Sequence, residues 1–180
     1  TNHPKHQGDP AWSFNGKKIA YRDSRDGDDE IYIMDANGAN QVRLTKNKAR
    51  DYAPAWAPDG QRLSFTSERD GNKEIYVVSV DGDDDENLTS HGADDWSSTW
   101  SPAGKRIAFR SDRDGNGEIY VIDVNNKNEG KNEINITGRG VWDTNPDWVS
   151  GDFQRRVSPA GKKTSTWGWI KAVAAGSNGR

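Results

Sequence analysis

The chain is predicted to be all-β, built from four-stranded antiparallel blades of the β-propeller kind. Three observations predict it. Sequence features recur every 44 residues, each unit holds four short strand-like runs separated by turn dipeptides, and no amphipathic helical pattern occurs along the 180 residues. A repeat of about 40–45 residues carrying four strands is the size of one propeller blade.

The repeat is read from three sets of residues. Ala11-Trp12, Ala55-Trp56 and Thr99-Trp100 keep the period, as do Ile31-Tyr32, Ile75-Tyr76 and Ile119-Tyr120. So do the turns Arg25-Asp26-Gly27, Arg69-Asp70-Gly71 and Arg113-Asp114-Gly115. After an N-terminal extension (1–9), three units run over about 10–53, 54–97 and 98–145. A fourth opens at Asp147-Trp148, delayed by four residues through an insertion between Asn125 and Glu133. Residues 149–180 form a degenerate final repeat and a C-terminal tail. Propellers close with about four to eight blades. Three full blades and a partial fourth therefore make an incomplete ring, or one completed by oligomerisation.

Within each unit the first strand is centred on the Trp and ends at Asn15-Gly16, Asp59-Gly60 or Ala103-Gly104. Asn-Gly and Asp-Gly supply the positive φ that hairpin turns require. The second strand is Lys18–Tyr21, Arg62–Phe65 and Arg106–Phe109, followed by the Arg-Asp-Gly turn. The third is Ile31–Met34, Ile75–Val78 and Ile119–Ile122. Its apolar residues do not alternate with polar ones, so both faces are expected to be buried. A polar turn then leads to a fourth strand ending in Leu44-Thr45, Leu88-Thr89 and Ile136-Thr137.

Composition fits this reading. Only 31% of residues are hydrophobic and 29% are charged, yet eight Trp, five Tyr and four Phe supply large rings for a core. A net charge of −3 gives no electrostatic footprint for nucleic acid. The absence of cysteine excludes disulfides, thiol nucleophiles and Cys-based zinc sites. No apolar run approaches a transmembrane length. No signal peptide is visible, and a chain beginning at Thr1 fits a mature or trimmed product.

The pattern A-W-[SA]-x-x-G-[KQ]-[KR]-[IL]-[AS]-[YF]…R-D-G-x-x-E-I-Y…[LI]-T, from about Pro10 to Trp148, resembles the TolB-like, WD-like propeller repeat. The stretch Thr164–Lys171 is similar to the T-T-W-G-x-[IV]-K ending of such chains. The resemblance implies the C-terminal portion of a longer propeller, a periplasmic or extracellular location, and a non-catalytic platform that binds a protein partner. Related blades occur in peptidases and in a pectic-oligosaccharide lyase. Two alternatives follow. One is a calcium- or carbohydrate-binding module, or the propeller part of a lyase or peptidase. The other is a structural subunit that self-assembles through exposed blade faces, as a homo-oligomer or a filament.

The same repeat frame places the candidate site residues. Asp51, Asp95 and Asp143 each stand five residues before a Trp. On first strands lining a channel, they would form an arc of carboxylates near its mouth, where Ca²⁺, which takes several oxygen ligands, is the candidate metal. The plainer reading is that each accepts backbone N–H bonds in the loop entering its strand. Asp26, Asp70 and Asp114, with Glu30, Glu74 and Glu118 four residues on, lack the twelve-residue spacing of an EF-hand. They read as turn residues beside an Arg that pairs with an acidic neighbour. His3 and His6 stand three apart and His91 is distant, which is short of a zinc ligand set. No G-x-S-x-G elbow occurs, and the His of Ser90-His91-Gly92 has no counterpart in the other repeats, so no catalytic residue is assigned. The tail from Gly151 carries Arg155, Arg156, Lys162, Lys163, Lys171 and Arg180 beside Trp167 and Trp169. It reads as a final strand on the last blade, with contact to anionic lipid or polysaccharide as the alternative. Asn87-Leu88-Thr89 and Asn135-Ile136-Thr137 match a glycosylation acceptor but coincide with the repeat's own ending.

Overall fold

The computed structural model describes residues 3–82, 84–125, 133–138 and 143–148, together with the strand at 170–174. The tail features at 151–169 lie outside the described residues. Among the described residues every regular element is a strand. The first sheet orders β1 (Gln7–Trp12), β2 (Lys18–Asp23), β3 (Glu30–Asp35) and β4 (Val42–Arg43). The second orders β5 (Asp51–Trp56), β6 (Arg62–Ser67), β7 (Glu74–Ser79) and β8 (Asp85–Asn87). The third contains β9 (Asp95–Trp100), β10 (Arg106–Ser111), β11 (Glu118–Asp123) and β12 (Ile134–Asn135). A fourth unit pairs β13 (Asp143–Trp148) with β14 (Ile170–Ala174). All pairings are antiparallel between sequence neighbours, so each sheet is one blade.

Three details differ from the sequence reading. The Trp ends its strand instead of centring it. The first strand begins at Gln7, inside the stretch read as an extension. The Leu-Thr pair lies just past the fourth strand. That last shift has a chemical cause. Thr45 Oγ1 accepts the Ile31 N–H at 3.0 Å and donates to Glu30 Oε2 at 2.6 Å. Thr89 does the same for Ile75 at 3.0 Å and Glu74 at 2.5 Å. The threonine thus ties the blade's end back to its third strand. Leu44 enters the core between blades.

The blades stack face to face. Trp56, Leu63, Phe65, Tyr76 and Val78 of the second blade pack on Ala20, Ile31 and Ile33 of the first. Trp100, Ile107, Phe109, Tyr120 and Ile122 of the third pack on Ile75 and Val77 of the second. Both faces of β7 and β11 are consequently buried, as their uninterrupted apolar runs predict, whereas Met34 of β3 is only partly covered. Main-chain bonds repeat at every boundary: Asp51 N–H to Asp29 O, Asp95 N–H to Lys73 O and Asp143 N–H to Gly117 O, each 2.7 Å. The indole Nε1 of Trp56 donates to Ala11 O at 3.0 Å, and that of Trp148 to Thr99 O at 3.2 Å. Trp100 takes the same seat, although its Nε1 makes no hydrogen bond.

Because this core lies between blades, cutting a ring from it should loosen two blades together. Phe65 is 0% exposed. Phe65→Ala is expected to cost about 3–5 kcal/mol in urea denaturation, whereas Val42→Ala, at an exposed position, should stay within about 0.5 kcal/mol.

Candidate functional site

The first strand of every blade carries a bulge. Cross-strand register slips between Gly8 and Ala11, between Tyr52 and Ala55, between Trp96 and Thr99, and between Thr144 and Asp147. At each slip one non-glycine residue takes positive φ: Asp9 at 52°, Ala53 at 50°, Ser97 at 57° and Asn145 at 49°. The left-handed region costs such residues of order 1–3 kcal/mol, and such strain gathers at functional sites. A bulge also re-aims side chains. Here it turns the pairs Asp9-Pro10, Ala53-Pro54, Ser97-Ser98 and Asn145-Pro146 onto one shared funnel of about 290 Å³. A proline, which lacks the ladder N–H, is tolerated in a strand at a bulge. The 44-residue period alone does not single out these residues. The signal was present as a Pro two residues before Trp12, Trp56 and Trp148.

The funnel wall is mostly small and neutral, with one carboxylate. Asp9 Oδ2 accepts the Ala53 N–H at 3.3 Å and stands 3.2 Å from Arg22. Arg22 reaches Asp29 at 3.2 Å, Asp29 reaches Arg50 at 3.1 Å, and Arg50 reaches Glu68 at 3.7 Å. An alternating ladder of charge therefore runs from the funnel across the first blade boundary.

Asp51, Asp95 and Asp143 occupy equivalent places in three successive blade boundaries, two residues before the funnel positions. Asp51 and Asp95 are fully buried. Asp51 Oδ2 accepts from Asn47 at 2.6 Å and from Arg69 at 3.1 Å, and Asp95 accepts from Arg113 at 3.2 and 3.0 Å. The loop entering the strand thus supplies the Asn47 side chain, and the blade's own Arg-Asp-Gly turn supplies the arginine. Among the described residues no group of three or more His, Asp or Glu side chains gathers to hold a metal ion. That includes His3, His6 and His91.

The turns divide their work. Gly27, Gly71 and Gly115 take positive φ. Their arginines lie over Tyr32, Tyr76 and Tyr120 at 4.7, 4.2 and 4.3 Å from the ring centroids. Asp26, Asp70 and Asp114 receive the hydroxyls of those same tyrosines. Burial, then the aspartate bond, pushes the Tyr120 hydroxyl up to about 12. The Asn87 and Asn135 side chains accept the N–H groups just past their strands, so both are in structural use.

Each boundary also buries a glutamate. Glu30 pairs with Arg43. Glu74, 2% exposed, has no such cation in its hydrogen-bond set: it accepts from Thr89, from Asn72 at 2.8 Å and from the His91 N–H at 3.0 Å. Burial pushes the Glu74 carboxyl above its usual value, Thr89 and Asn72 oppose the rise, and the charge of Asp95 adds to it. Asp51 and Asp95 are raised chiefly by burial as well.

Comparisons with known proteins agree with this geometry. The family model described as the TolB beta propeller domain matches residues 1–92 and 51–157. The chain belongs to this family. A solved structure of a TolB assigned in Agrobacterium tumefaciens is similar over 75% of this chain and 50% of that one, at 29% identity and a TM-score of 0.64. TolB from Acinetobacter baumannii is similar over 66% of this chain and 30% of its own, at 30% identity and a TM-score of 0.56. The chain thus spans half or less of these two structures. A puromycin-hydrolyzing peptidase of Mycobacterium tuberculosis shares the fold alone, at 18% identity and a TM-score of 0.56 over 68% of this chain and 21% of that one. No curated protein matches. Among the described residues no helix is long and apolar enough to cross a membrane.

The Glu74 environment sets a pH dependence. A carboxyl raised in the folded state binds its proton more tightly there than in the unfolded chain. Its stabilising contribution is full below its usual value of 4.5 and is lost as pH rises through the folded value. Glu74→Gln is therefore expected to flatten the fall in stability between pH 4.5 and the raised folded value, by at most about 1.4 kcal/mol per pH unit for one proton. Urea denaturation across pH checks this, and a variant with an unchanged slope would remove Glu74 as the source.

Proposed function

We propose that this propeller segment is a non-catalytic platform in the bacterial envelope or outside the cell, and that it receives a protein partner at the axial funnel. The observation that carries this reading is the recurrence of one strained bulge in all four units, each aiming at the same opening. Four strained residues at equivalent positions would be an expensive way to make an inert wall. The funnel offers small side chains, prolines and a single carboxylate. Such a surface suits an extended peptide, which binds through its main chain with a few side chains in pockets. Membership of the TolB propeller family supports an interaction role, and the peptidase that shares the fold marks the other use of such blades.

Ser97 sits on the funnel wall and is part-exposed. In capture from envelope extract with purified chain, wild type is expected to retain a specific protein. Ser97→Tyr, which obstructs the opening, should cut retention by about tenfold, the loss of roughly one good contact. Circular dichroism confirms that the variant folds. Equal capture by both proteins, or none by either, removes the platform reading. Calorimetric titration with Ca²⁺ alone, and then with acidic oligosaccharide, tests the module alternative, which requires heat in one of them.

A further inference from the structure

The four funnel positions share a backbone but not a cap. Asp9, Ala53, Ser97 and Asn145 take φ between 49° and 57° at the same place in their strands. In the first pair this conformation turns the Ala53 N–H onto the side chain of the residue 44 earlier, and the same conformation aims the N–H of Ser97 and of Asn145 at the equivalent residue of the blade before. At the first step the contact is complete. Asp9 Oδ2 accepts the Ala53 N–H at 3.3 Å, and Arg22, opposite Gly8 in the sheet, stands 3.2 Å from that carboxylate. At the second step the cap is only the Ala53 methyl, and Thr66 takes the place of Arg22, so carboxylate and cation are lost together. At the third step the cation returns without the carboxylate. Arg110 lies opposite Trp96, as Arg22 lies opposite Gly8, and Ser97 stands in the place of Asp9, facing the Asn145 N–H. The Ser97 hydroxyl and the Asn145 amide group line the funnel and make no hydrogen bond among the described residues. Ser98 does not compete with them, because its hydroxyl is tied to Ser64 at 2.8 Å.

We propose that the funnel holds a carboxylate subsite between the third and fourth units, and that its occupant is a carboxylate of the partner's peptide. The group takes above Ser97 the place that the Asp9 carboxylate takes in the first blade. It accepts the Asn145 main-chain N–H and the Ser97 hydroxyl, with the Asn145 side-chain amide as a further donor and Arg110 in the place that Arg22 holds. Asp9 is the precedent inside the same fold, a carboxylate seated on a bulge N–H beside an arginine. Main-chain N–H groups only donate, and a hydrogen bond to an ionised acceptor is about twice as strong as one to a neutral carbonyl. A cationic side chain finds only Asp9 in the funnel, and Arg22 already answers that charge. The subsite rests on the reading of the funnel as the partner's seat, and it names the chemistry that the seat selects.

Amide-resolved NMR titration of the whole chain with short peptides tests this. The probes are Gly-Ser-Asp-Ser-Gly blocked at both ends, its blocked Asn counterpart, and the Asn peptide with a free C-terminal carboxylate. At least one of the two carboxylate peptides is expected to bind about tenfold more tightly than the neutral one, with the largest shifts at the Ser97 and Asn145 amides. Which of them does so tells a side-chain carboxylate from a chain terminus. Ser97→Asp gives the third blade a carboxylate of its own, as Asp9 does for the first, and should erase the preference. Ser97→Asn, of the same size and neutral, should lower it only about twofold. Asp and Asn already occupy this positive-φ position at 9 and 145, so both variants suit the backbone. Equal binding of the three peptides, or binding of none, overturns the subsite. So does a preference that survives Ser97→Asp, or one that Ser97→Asn erases as fully. Trigalacturonate moving the same amides at lower concentration than either carboxylate peptide would give the site to an acidic sugar and overturn the peptide assignment. A partner captured from envelope extract while the three peptides bind alike removes the subsite and keeps the platform; a carboxylate preference with no captured partner does the reverse.

Discussion

A four-stranded sheet that is apolar on both faces cannot be stable alone. The third strands β3, β7 and β11 place apolar residues on both sides, and each blade is too small to wrap its own surface. Stacking is the only cover on offer, and the rest of the structure follows from it. The tryptophan must end the first strand so that its ring reaches across to the preceding blade. The main chain must be tied at the boundary, which the three Asp N–H bonds achieve with the same 2.7 Å length each time. A chain with 31% hydrophobic residues can form a core because those residues are concentrated in the stacked strands.

Stacking also brings charge into the dry layer. Each boundary buries the glutamate that opens a third strand and the aspartate that opens the next blade. Buried carboxylates are costly unless they are paired or hydrogen-bonded. The first boundary answers with cations, Arg43 on Glu30 and Arg69 on Asp51. The second supplies Arg113 to Asp95 but leaves Glu74 to neutral donors. The third supplies Asn116 and Asn135 to Glu118. One geometry is therefore held by three different charge balances. Burial still raises the carboxyls of both Glu30 and Glu74 above their usual value, with or without a cation beside them.

The architecture was legible in the sequence because it depends on spacing. Period, turn dipeptides and the uninterrupted Ile-Tyr runs survive as local pattern, and each is set by the backbone geometry of one blade. The site was less legible. Asp51, Asp95 and Asp143 stood out by period, but a period cannot say which way a side chain turns at a bulge. The bulge falls between those aspartates and the tryptophans, and it gives the funnel to Asp9, Ala53, Ser97 and Asn145, whose side chains share no chemistry. What these positions share is a backbone conformation, hinted at only by Pro10, Pro54 and Pro146. The Leu-Thr ending was visible as a motif, yet its purpose lies in a contact between residues fourteen apart, Ile31 N–H with Thr45 Oγ1.

The first blade shows how tightly the arginine and its carboxylate are bound together as one unit. In the second and third blades the turn arginine splits its bonds: Nε goes to Ser67 or Ser111, and a terminal nitrogen goes to Asp51 or Asp95 on the neighbouring strand. In the first blade the carboxylate has crossed to the other strand. Asp23 takes the serine's place, Gln7 takes the aspartate's, and Arg25 gives both bonds to Asp23, from Nε at 2.8 Å and from a terminal nitrogen at 2.5 Å. Burial pushes the Asp23 carboxyl up, but these bonds and the Arg25 main-chain N–H outweigh it and hold Asp23 below its usual value, the reverse of Asp51 and Asp95. One charge per blade is retained for the arginine while the carboxylate leaves the strand position that faces a preceding glutamate. The Gln7 side chain adds its own hydrogen bond to Asp23, so the exchanged carboxylate is held from both strands and needs no partner beyond its own blade.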